Sequence, residues 1–519
     1  MVSAVLFITF FVLLVLNVPI SVCLGLSSAA AILYSGTSLT IVATNIYSGI
    51  SKFLLLAIPF FVLSGNIMAK AGISTRLIRF VDTCVGHRKG GIANVCIIVA
   101  CFFGAISGSG PATVAALGAV LIPAMIERGG FSAAFSTALM ATSSSIAIVI
   151  PPSIAFVVYA SITGVSIGDM FMAGIIPGIL MGLALVVVVM LEVRRNHVVP
   201  SNVEKASAKE RWNAFKDAFW GFLMPVIILG GIYGGIFTPT EAAAVSVVYG
   251  LFVGMIIYKE VKFKDLWEIL IDSAKTTGGI MLIVACASLF SFVCTRFGIS
   301  TAASELLARV AGNQFTFLLI CNIIFLIAGC FIDANSAMYI FIPIMLPVCK
   351  ALGYNVIAFG IMATVNLAIG QVTPPVGVNL FVAIGIKLRD GIRVTLQEIS
   401  RAVVPMVAAS IVVLLIITYI PQISTCLPAA LGSAAAIENG ETAGGDSGTT
   451  QTDNDDFNTI GDYSDLDWAD MTWNFTCSTT ETSTWAQAGR KFGELMEQAT
   501  GGKVKVDVYA ADQLTGGNQ

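Results

Sequence analysis

Two short polar segments, each rich in residues that interrupt a helix, hold the side chains that could do chemistry in this sequence. The first reads Ser-Gly-Ser-Gly-Pro at 107–111, and the second reads Asp-Ala-Asn-Ser at 333–336. Their hydroxyl, amide, carboxylate and free backbone carbonyl oxygens are hard ligands, which suit a small cation such as sodium. We therefore predict sodium ligands at Ser107, Gly108, Ser109, Gly110, Thr113, Asp333, Asn335 and Ser336.

Each polar segment is followed by a double proline, Pro151-Pro152 in the first case and Pro374-Pro375 in the second. Proline lacks the N–H that a helix needs and clashes with the preceding turn, so each pair predicts an unwound point. Carbonyl oxygens freed there can coordinate sodium, and the N-terminus of the next half-helix can hold an anionic group. A simple kink is the alternative. The further predicted sodium ligands are Ser144, Pro151, Thr373, Pro374 and Gly377, and the predicted substrate-binding residues are Ser145, Ser153 and Asn379.

Both polar segments also have structural interpretations. Small residues at 107–111 could form a tight crossing between two helices, although the matching break in the other half favours a binding site. Asp333 is the only charged residue in the stretch 310–349, and a carboxylate at that depth in a membrane is costly enough to suggest a function. The alternative is that Asp333 caps the next helix. Both roles stay open, and Asn335 and Ser336 are the better oxygen donors.

The tetrapeptide Thr-Pro-Thr-Glu at 238–241 has the pattern of a helix start. Threonine at the N-cap, proline in the first turn and glutamate three residues after the threonine make a capping box. We therefore predict a structural role for Glu241. The sequence holds no Walker motif, catalytic triad or metal-ligand constellation, so we predict that the protein is not an enzyme and uses no cofactor.

The elements that position these residues are predicted to be membrane helices. The composition is 56% hydrophobic and only 11% charged, which is typical of a polytopic membrane protein. No charged side chain occurs before Lys52, between Gly91 and Ile126, or between Ala351 and Ile386. Each run exceeds the ~20 residues that cross the hydrocarbon core, and backbone groups in lipid must pair within a helix. The N-terminal run lacks a basic segment, which favours a membrane helix over a cleaved signal peptide.

The sequence divides into two related halves. The tetrapeptide Gly-Ile-Ser-Thr at 72–75 recurs at 298–301, and the polar segments, the double prolines, Pro177 and Pro405 then follow at matching intervals. Paired halves whose helices are broken at corresponding places are typical of secondary transporters. We predict an all-α polytopic membrane protein with two inverted repeats, each bearing a re-entrant hairpin and an unwound helix.

Basic residues predict how the two halves lie in the membrane. The basic segment 195–218 and the basic loop at 259–264 are assigned to the cytoplasmic side by the positive-inside rule. The first half ends on the cytoplasmic side at Arg194, whereas the last helix of the second half starts from the basic residues Lys387, Arg389 and Arg393 and is therefore assigned to end outside. Corresponding points of the two halves then lie on opposite sides, so the repeat is inverted. The predicted regions are a first membrane repeat at 1–194, a cytoplasmic linker at 195–218, a second membrane repeat at 219–427, an acidic disordered linker at 428–470 and a truncated β-α-β fragment at 471–519.

The C-terminal part of the chain has a different composition. The segment 428–470 contains many acidic residues and no basic ones amid Gly, Ser, Thr and Ala, which predicts a solvated, disordered linker. Alternating apolar residues at 473–477 predict a strand, those between 485 and 496 fall on one helical face, and alternation at 504–508 predicts a second strand. One such unit is too small to bury a stable core alone.

These motifs together resemble a known family. The chain is similar, over roughly residues 1–421, to the large membrane subunit of tripartite ATP-independent periplasmic (TRAP) transporters. Residues 471–519 resemble the start of the same system's extracytoplasmic solute receptor. The segments that carry the main resemblance are GAISGSGPATVAALGAVLIPAM at 104–125, IPPSIAFVVYASITG at 150–164, GGIFTPTEAAAV at 234–245, FIDANSAMYIFIPIMLPV at 331–348 and TPPVGVNLF at 373–381.

The resemblance implies sodium-coupled uptake of small organic anions, such as C4-dicarboxylates or sialic acid, by an elevator mechanism. It implies two partners, a small four-helix membrane subunit and an extracytoplasmic solute-binding protein, and no nucleic acid. It also implies a multi-pass protein of the bacterial inner membrane with a periplasmic C-terminal tail. A family receptor is several-fold longer than this tail, so we expect no ligand cleft there. The alternatives are a channel-like pathway for ions or anions, and a membrane anchor for a sensory receptor.

Overall fold

The computed structural model describes residues 1–195, 205–388, 393–432, 471–476, 491–494, 496–497 and 503–509. They belong to two compact units, Met1–Gly440 and Glu441–Gln519. Every regular element in the described part of the first unit is helical. Nine helices among the described residues are long and apolar enough to cross a membrane. The first unit is therefore an all-α polytopic membrane protein, as the composition predicts.

Two groups of helices in the first unit precede the two repeated series. A 3₁₀ turn, Phe53–Leu56, leads into the last helix of the first group, and a π-helical turn, Phe252–Ile257, follows the second helix of the second group. The helices are α1 (Val2–Val15), α2 (Ile20–Tyr34), α3 (Thr40–Ile50), α4 (Ala57–Lys70), α11 (Ala208–Tyr233), α12 (Pro239–Leu251) and α13 (Phe263–Arg296). Helix α13 packs along α2, α3 and α4, and α12 packs on α4, so the two groups form one body that we call the frame.

The two repeated series have the same element order. Each begins with a helix that follows a glycine in the left-handed conformation, Gly72 with φ 68° and Gly298 with φ 67°. The first series is α5 (Ile73–Val85), α6 (Gly91–Ser107), α7 (Gly110–Glu127), α8 (Ala133–Ser145), α9 (Ile154–Thr163) and α10 (Ile167–Arg195). The second is α14 (Ile299–Ala311), α15 (Gln314–Phe331), α16 (Ala334–Ala351), α17 (Val356–Gly370), α18 (Val378–Ile384) and α19 (Leu396–Tyr419), followed by α20 (Gln422–Ala430).

Each series contains a helical hairpin whose turn is dictated by its sequence. In the first hairpin, α6 ends at Gly108, which has a φ of 60°. Glycine adopts this left-handed conformation without the clash that a Cβ would cause. Helix α7 then begins with Gly110-Pro111, where the N–H that proline lacks would have had no partner within the helix. In the second hairpin, Asp333 is the N-cap of α16.

The first helix of each hairpin crosses the helix that leads to the double proline at very short range. A Cβ added to Gly104 of α6 would lie 2.6 Å from the Cα of Ala147, which lies in the 3₁₀ turn Ile146–Ile148 that continues α8. The equivalent crossing pairs Gly329 of α15 with Gly370 of α17, where a Cβ on Gly329 would lie 3.0 Å from the Cα of Gly370. Small residues permit this approach of two backbones. The tip of each hairpin is thereby held beside the unwound loop of its own series.

The short helices α9 and α18 pack on the opposite series. Helix α9 lies against α16, and α18 lies against α7 and α8. The buried Tyr159 hydroxyl on α9 donates to the Val356 carbonyl at the start of α17 (2.7 Å), and the hydroxyls of Ser161 and Tyr339 are 2.9 Å apart. The two series are therefore interleaved, so both contribute to the centre where the broken helices meet.

The segment predicted as a linker at 195–218 is partly helical. Helix α11 begins at Ala208 with a capping box between Ser207 and Glu210 and runs on to Tyr233. Residues 196–204 lie outside the described part of the chain. The sequence did not predict this helix start, because the first turns of α11 are polar and basic and only its later turns are continuously apolar. The other predicted region boundaries stay predictions.

The second unit contains two strands where alternating residues predict them. Strand β1 (Met471–Thr476) pairs in parallel with β2 (Val504–Tyr509), with Met471 opposite Val504. Residues 491–494 and 496–497 between them are helical. Parallel neighbours need a crossover connection, so this pairing agrees with a β-α-β unit. The predicted disordered linker lies, from residue 433 onward, outside the described residues, as do Cys477 and residues 485–490.

Candidate functional site

The first hairpin tip gathers three of the predicted oxygen donors. The hydroxyls of Ser107 and Thr113 are 2.9 Å apart, and Thr113 also donates to the Ser109 carbonyl at 2.8 Å. Thr113 is fully buried and Ser107 almost so. Gly108 and Gly110 lie beside this cluster and are themselves buried. The tip therefore concentrates hard oxygen atoms in a buried place, as its sequence predicts.

The first unwound loop lies directly against this tip. A Cβ added to Gly108 would lie 2.8 Å from the carbonyl oxygen of Pro152. Ser153 donates from its hydroxyl to the Ile148 carbonyl at 2.5 Å, and this bond closes the loop on itself. Both double prolines, Pro151-Pro152 and Pro374-Pro375, contain a cis peptide bond. The structure thus brings the hairpin and the unwound helix of the first series together.

Asn379 from the second series completes the site beside the first hairpin. Its Nδ2 atom donates to the Ser144 hydroxyl at 3.1 Å, and its backbone N–H donates to the Gln371 carbonyl at 3.0 Å. A Cβ on Gly110 would lie 2.7 Å from Nδ2 and 3.1 Å from Oδ1 of Asn379. Asn379 is fully buried. Residues predicted from two distant parts of the sequence therefore meet at one point.

Asp333 caps helix α16 at the second hairpin tip. Its Oδ2 atom accepts from the backbone N–H groups of Asn335 and Ser336, both at 3.1 Å, and its Oδ1 atom accepts from the Ser336 hydroxyl at 2.5 Å. The backbone N–H of Gly377 donates to the Cys330 carbonyl at 3.2 Å, which ties the second unwound loop to this hairpin. The structural interpretation of Asp333 is therefore realised, and a sodium ion could use only the lone pairs that remain.

Several buried side-chain oxygens near the tips and loops accept no hydrogen bond from the described residues. They are Asn335 Oδ1, Gln371 Oε1, Asn379 Oδ1 and Ser143 Oγ. A buried polar atom without a partner is costly, so such atoms mark places where a cation or water completes the structure. Gln371 was not predicted, although its position just before Thr373-Pro374 is a signal that could have found it.

Other predicted residues are engaged mainly with their own helices. The hydroxyl of Ser145 donates to the Thr142 carbonyl at 2.7 Å, and that of Thr373 donates to the Ile369 carbonyl at 2.8 Å. Such local bonds are common for hydroxyl side chains in membrane helices. The oxygen lone pairs of both residues remain free to accept, but their protons are already used.

A cavity of about 100 Å³ adjoins the first hairpin on its frame side. Ser107 and Ser109 of the hairpin face Asn66 of α4 and Thr276 of α13 across it. Asn66 is held by a 2.8 Å hydrogen bond from its Nδ2 atom to the Ser273 hydroxyl. Asn66 and Thr276 were not predicted, because an isolated polar residue in an apolar helix carries no spacing signal. The cavity shows that the first tip borders both the repeats and the frame.

The capping box predicted for residues 238–241 is confirmed. Thr238 accepts from the Glu241 backbone N–H at 3.3 Å, and Glu241 Oε2 accepts from the Thr238 backbone N–H at 2.8 Å. The Glu241 carboxylate is exposed. Its bonds are local to the start of α12, so its role is structural.

We expect Glu241→Gln to keep uptake within about twofold of the wild-type rate, because the amide oxygen can still accept the cap bond. Glu241→Leu removes that acceptor and should lower expression and the detergent melting temperature. The measurement is uptake per folded molecule after size-exclusion chromatography. Loss of uptake in well-folded Glu241→Gln would contradict a purely structural role.

An all-helical membrane protein with paired hairpins and paired broken helices around buried oxygens belongs to the class of secondary transporters. The chain is a member of a specific family within that class, the DctM component of tripartite ATP-independent periplasmic (TRAP) transporters, whose sequence profile matches residues 7–423. The family resemblance inferred from its motifs is therefore confirmed for the membrane part. The profile does not reach the C-terminal segment.

Individual relatives agree with this membership. The C4-dicarboxylate TRAP transporter large permease protein DctM of Pseudomonas aeruginosa is 41% identical over 79% of this chain and 94% of its own length. Its namesake from Rhodobacter capsulatus is 38% identical over 81% and 97%. The sialic acid TRAP transporter large permease protein SiaM of Vibrio cholerae is 34% identical over 77% and 92%. The YdaH transporter of Alcanivorax borkumensis shares the fold alone, with a TM-score of 0.53 and 14% identity over 76% and 88%.

Proposed function

We propose that this protein is the membrane permease subunit through which sodium drives the import of a small organic anion. The observation that carries the proposal is the position of Asn379. Its carboxamide is fully buried against the first hairpin tip, and its Oδ1 atom accepts no hydrogen bond from the described residues. A cation bound there would satisfy this oxygen at little cost, because hydroxyl and carbonyl oxygens of the tip lie alongside it.

The sodium sites proposed here form around the two hairpin tips. The first uses oxygens of the tip, of the first unwound loop and of Ser144, and the second uses oxygens of Asn335 and of the loop before α18. Asp333 supports the second tip through its cap and contributes charge. The proposed sodium ligands are Ser107, Gly108, Ser109, Gly110, Thr113, Ser144, Pro151, Asp333, Asn335, Ser336, Thr373, Pro374 and Gly377.

The proposed substrate is a small carboxylate that lies between the tips. Relatives of this chain are named for C4-dicarboxylates, 2,3-diketo-L-gulonate and sialic acid, which are carboxylic acids, and one is named for isethionate, a sulfonate. Helix α9 begins at the first unwound loop, and a helix N-terminus favours a carboxylate because its first N–H groups lack partners within the helix. At the start of α18, by contrast, the N–H groups of Gly377 and Asn379 already donate to the Cys330 and Gln371 carbonyls. We assign Ser145, Ser153 and the side-chain amide nitrogen of Asn379 to this contact, and we propose Asn379 Oδ1 as a further ligand of the first sodium ion. Movement of the repeats against the frame would carry substrate and sodium together in an elevator cycle.

The proposed partners are a small four-helix membrane subunit and an extracytoplasmic solute-binding protein. Their role follows from membership of a tripartite family. The proposed location is the bacterial inner membrane, with the tail beyond residue 428 on the outer side. Labelling of Cys477 by an impermeant thiol reagent in intact spheroplasts, in a background without the other cysteines, tests that side. Protection of Cys477 until the membrane is opened would overturn it.

The proposal is tested by reconstituting the chain with both partners in liposomes. Sodium outside should drive accumulation of the carboxylate, and replacement of sodium by choline should abolish it. Preloaded substrate should also exchange by counterflow, as expected for a carrier and not for a channel. Equal uptake in sodium and choline would contradict sodium coupling, and absence of counterflow would favour a channel-like pathway.

A further inference from the structure

Two buried asparagines join the first helix of the second hairpin to the helix that unwinds beside it. The Nδ2 atom of Asn366 on α17 donates to both the backbone carbonyl (2.9 Å) and the Oδ1 atom (2.8 Å) of Asn322 on α15. Asn366 is 0% exposed and Asn322 is 5% exposed. Both amide protons of one residue are thus used on a single residue of another helix. We call these two residues the asparagine clamp.

The clamp is anchored to a third helix. Asn322 donates from Nδ2 to the Thr418 hydroxyl on α19 at 3.3 Å. Tyr354, in the turn before α17, donates from its hydroxyl to the Thr418 carbonyl at 2.8 Å. These bonds also fix the orientation of the Asn366 carboxamide. If its oxygen and nitrogen were exchanged, the oxygen would face two acceptors of Asn322 and repel both.

The clamp lies in line with the proposed second sodium site. Further along the same two helices, Gly329 of α15 meets Gly370 of α17 at the close backbone contact described above. Immediately after that crossing, the Gly377 N–H donates to the Cys330 carbonyl and links the hairpin tip to the unwound loop. A shift of α15 against α17 at the clamp would therefore displace the tip oxygens relative to the loop oxygens.

The first series makes the same crossing without such a clamp. One helical turn before Ala147, the residue that corresponds to Asn366 is Ser143, whose short hydroxyl lies beside the Cys96 thiol of α6 and makes no paired bonds like those of Asn366. The nearby contact between α6 and α8 is Cys96 Sγ to Met140 Sδ at 3.6 Å. The crossing itself therefore does not require the asparagines. Because the two asparagines occur in the second series alone, they indicate a functional difference between the two hairpins.

We infer that Asn322 and Asn366 are positioning residues that set the geometry, and hence the affinity, of the second sodium site. This inference rests on the proposed sodium-coupled function. Ligand oxygens must be held to a fraction of an ångström, and residues that orient metal ligands affect affinity without touching the ion. Asn366 Oδ1 has no hydrogen-bond partner among the described residues, but neither residue of the clamp is among the proposed ligands of the ion or the substrate. Loss of the clamp should therefore weaken sodium binding and leave substrate recognition at saturating sodium unchanged.

The test uses Asn322→Leu, Asn366→Leu and the double variant, with Thr364→Val as the matched control. Thr364 is buried on the same helix, but its hydroxyl bonds only to the Gly360 carbonyl of that helix. Each single leucine variant should raise the sodium concentration for half-maximal uptake about tenfold, the lower end of the effect for residues that orient metal ligands. The double variant should show the same increase, since one bond system is lost in all three.

A second readout does not depend on transport. In a variant that keeps Cys330 as its only cysteine, the labelling rate of this buried thiol by a membrane-permeant reagent reports how firmly the second hairpin is held. Labelling without sodium should be faster with Asn366→Leu and unchanged with Thr364→Val. If Asn366→Leu does not fold, Asn366→Ser, which installs the residue of the first series, is measured instead with the same expectation.

The outcomes separate the clamp from the proposed function. Sodium-independent uptake by the wild-type protein would overturn the proposed coupling and the clamp's role in it, while the Cys330 labelling rate would still report on the hairpin. Wild-type sodium dependence with unchanged values in the leucine variants would overturn the clamp alone. An equal effect of Thr364→Val, or increases that multiply in the double variant, would also overturn it.

Discussion

Replacing Asn379 with leucine is expected to reduce carboxylate uptake about a hundredfold or more. Loss of a residue that merely orients a metal ligand can already reduce activity by up to about a hundredfold. Leucine has nearly the same shape, so it leaves no cavity. The substitution removes Oδ1, which accepts no hydrogen bond from the described residues. It also removes Nδ2, which donates a hydrogen bond to the Ser144 hydroxyl at 3.1 Å. The proposed first sodium site therefore loses one oxygen ligand directly, while a second oxygen loses its orientation.

The measurement is uptake against sodium concentration in liposomes, with folding checked by size-exclusion chromatography. Asn213→Leu is the matched control, because it makes the same chemical change at an exposed residue of α11, outside both hairpins and both unwound loops. Asn379→Asp should be milder than Asn379→Leu, since it retains the side-chain oxygen. Wild-type sodium dependence in folded Asn379→Leu would remove Asn379 from the site.

Adding one methyl group at Gly104 should destabilise the protein by about 1–3 kcal/mol, the usual cost of overpacking a tight core. The new Cβ would lie 2.6 Å from the Cα of Ala147, and a backbone atom cannot rotate away as a side chain can. Helix α6 must then move away from the 3₁₀ turn Ile146–Ile148 that follows α8. That separation would also pull the first hairpin tip from the unwound loop, so uptake should fall together with stability.

Gly279→Ala is the matched control for Gly104→Ala. A Cβ at Gly279 would meet nothing within 4 Å, and the residue lies inside helix α13. Alanine is favoured over glycine there by helix propensity, so the melting temperature in detergent should stay or rise. Equal melting temperatures for Gly104→Ala and the wild type would show that α6 and the 3₁₀ turn are not in contact as described.

Sequence spacing predicted where the helices break but not which breaks meet. The glycines and prolines at 107–111 and 374–375 are local signals, since their effect on a helix depends on a few neighbouring residues. The contact between Ser144 and Asn379 joins residues 235 positions apart, and no local rule can foresee it. The frame residues Asn66 and Thr276 could not be predicted for the same reason. Their significance comes only from the cavity that they border.

Asp333 shows why the type of a residue does not decide between a cap and a ligand. A carboxylate in an apolar stretch is expensive, and both roles offset that cost by supplying N–H groups or a cation. The structure shows that the Asp333 carboxylate accepts three hydrogen bonds, from the backbone N–H groups of Asn335 and Ser336 and from the Ser336 hydroxyl. Glu241 was simpler, since a threonine, a proline and a glutamate at fixed spacing specify a cap by themselves.

The interleaving of the two series has a consequence for how the chain is made. Tyr159 and Ser161 of α9 find their partners in Val356 and Tyr339, which the ribosome has not yet synthesised when α9 enters the membrane. The Ser161 hydroxyl can bond meanwhile to the Val158 carbonyl of its own helix, at 2.7 Å, whereas the bond from Tyr159 to the Val356 carbonyl must form later. The packing of α9 can therefore be completed only after the second series has been inserted.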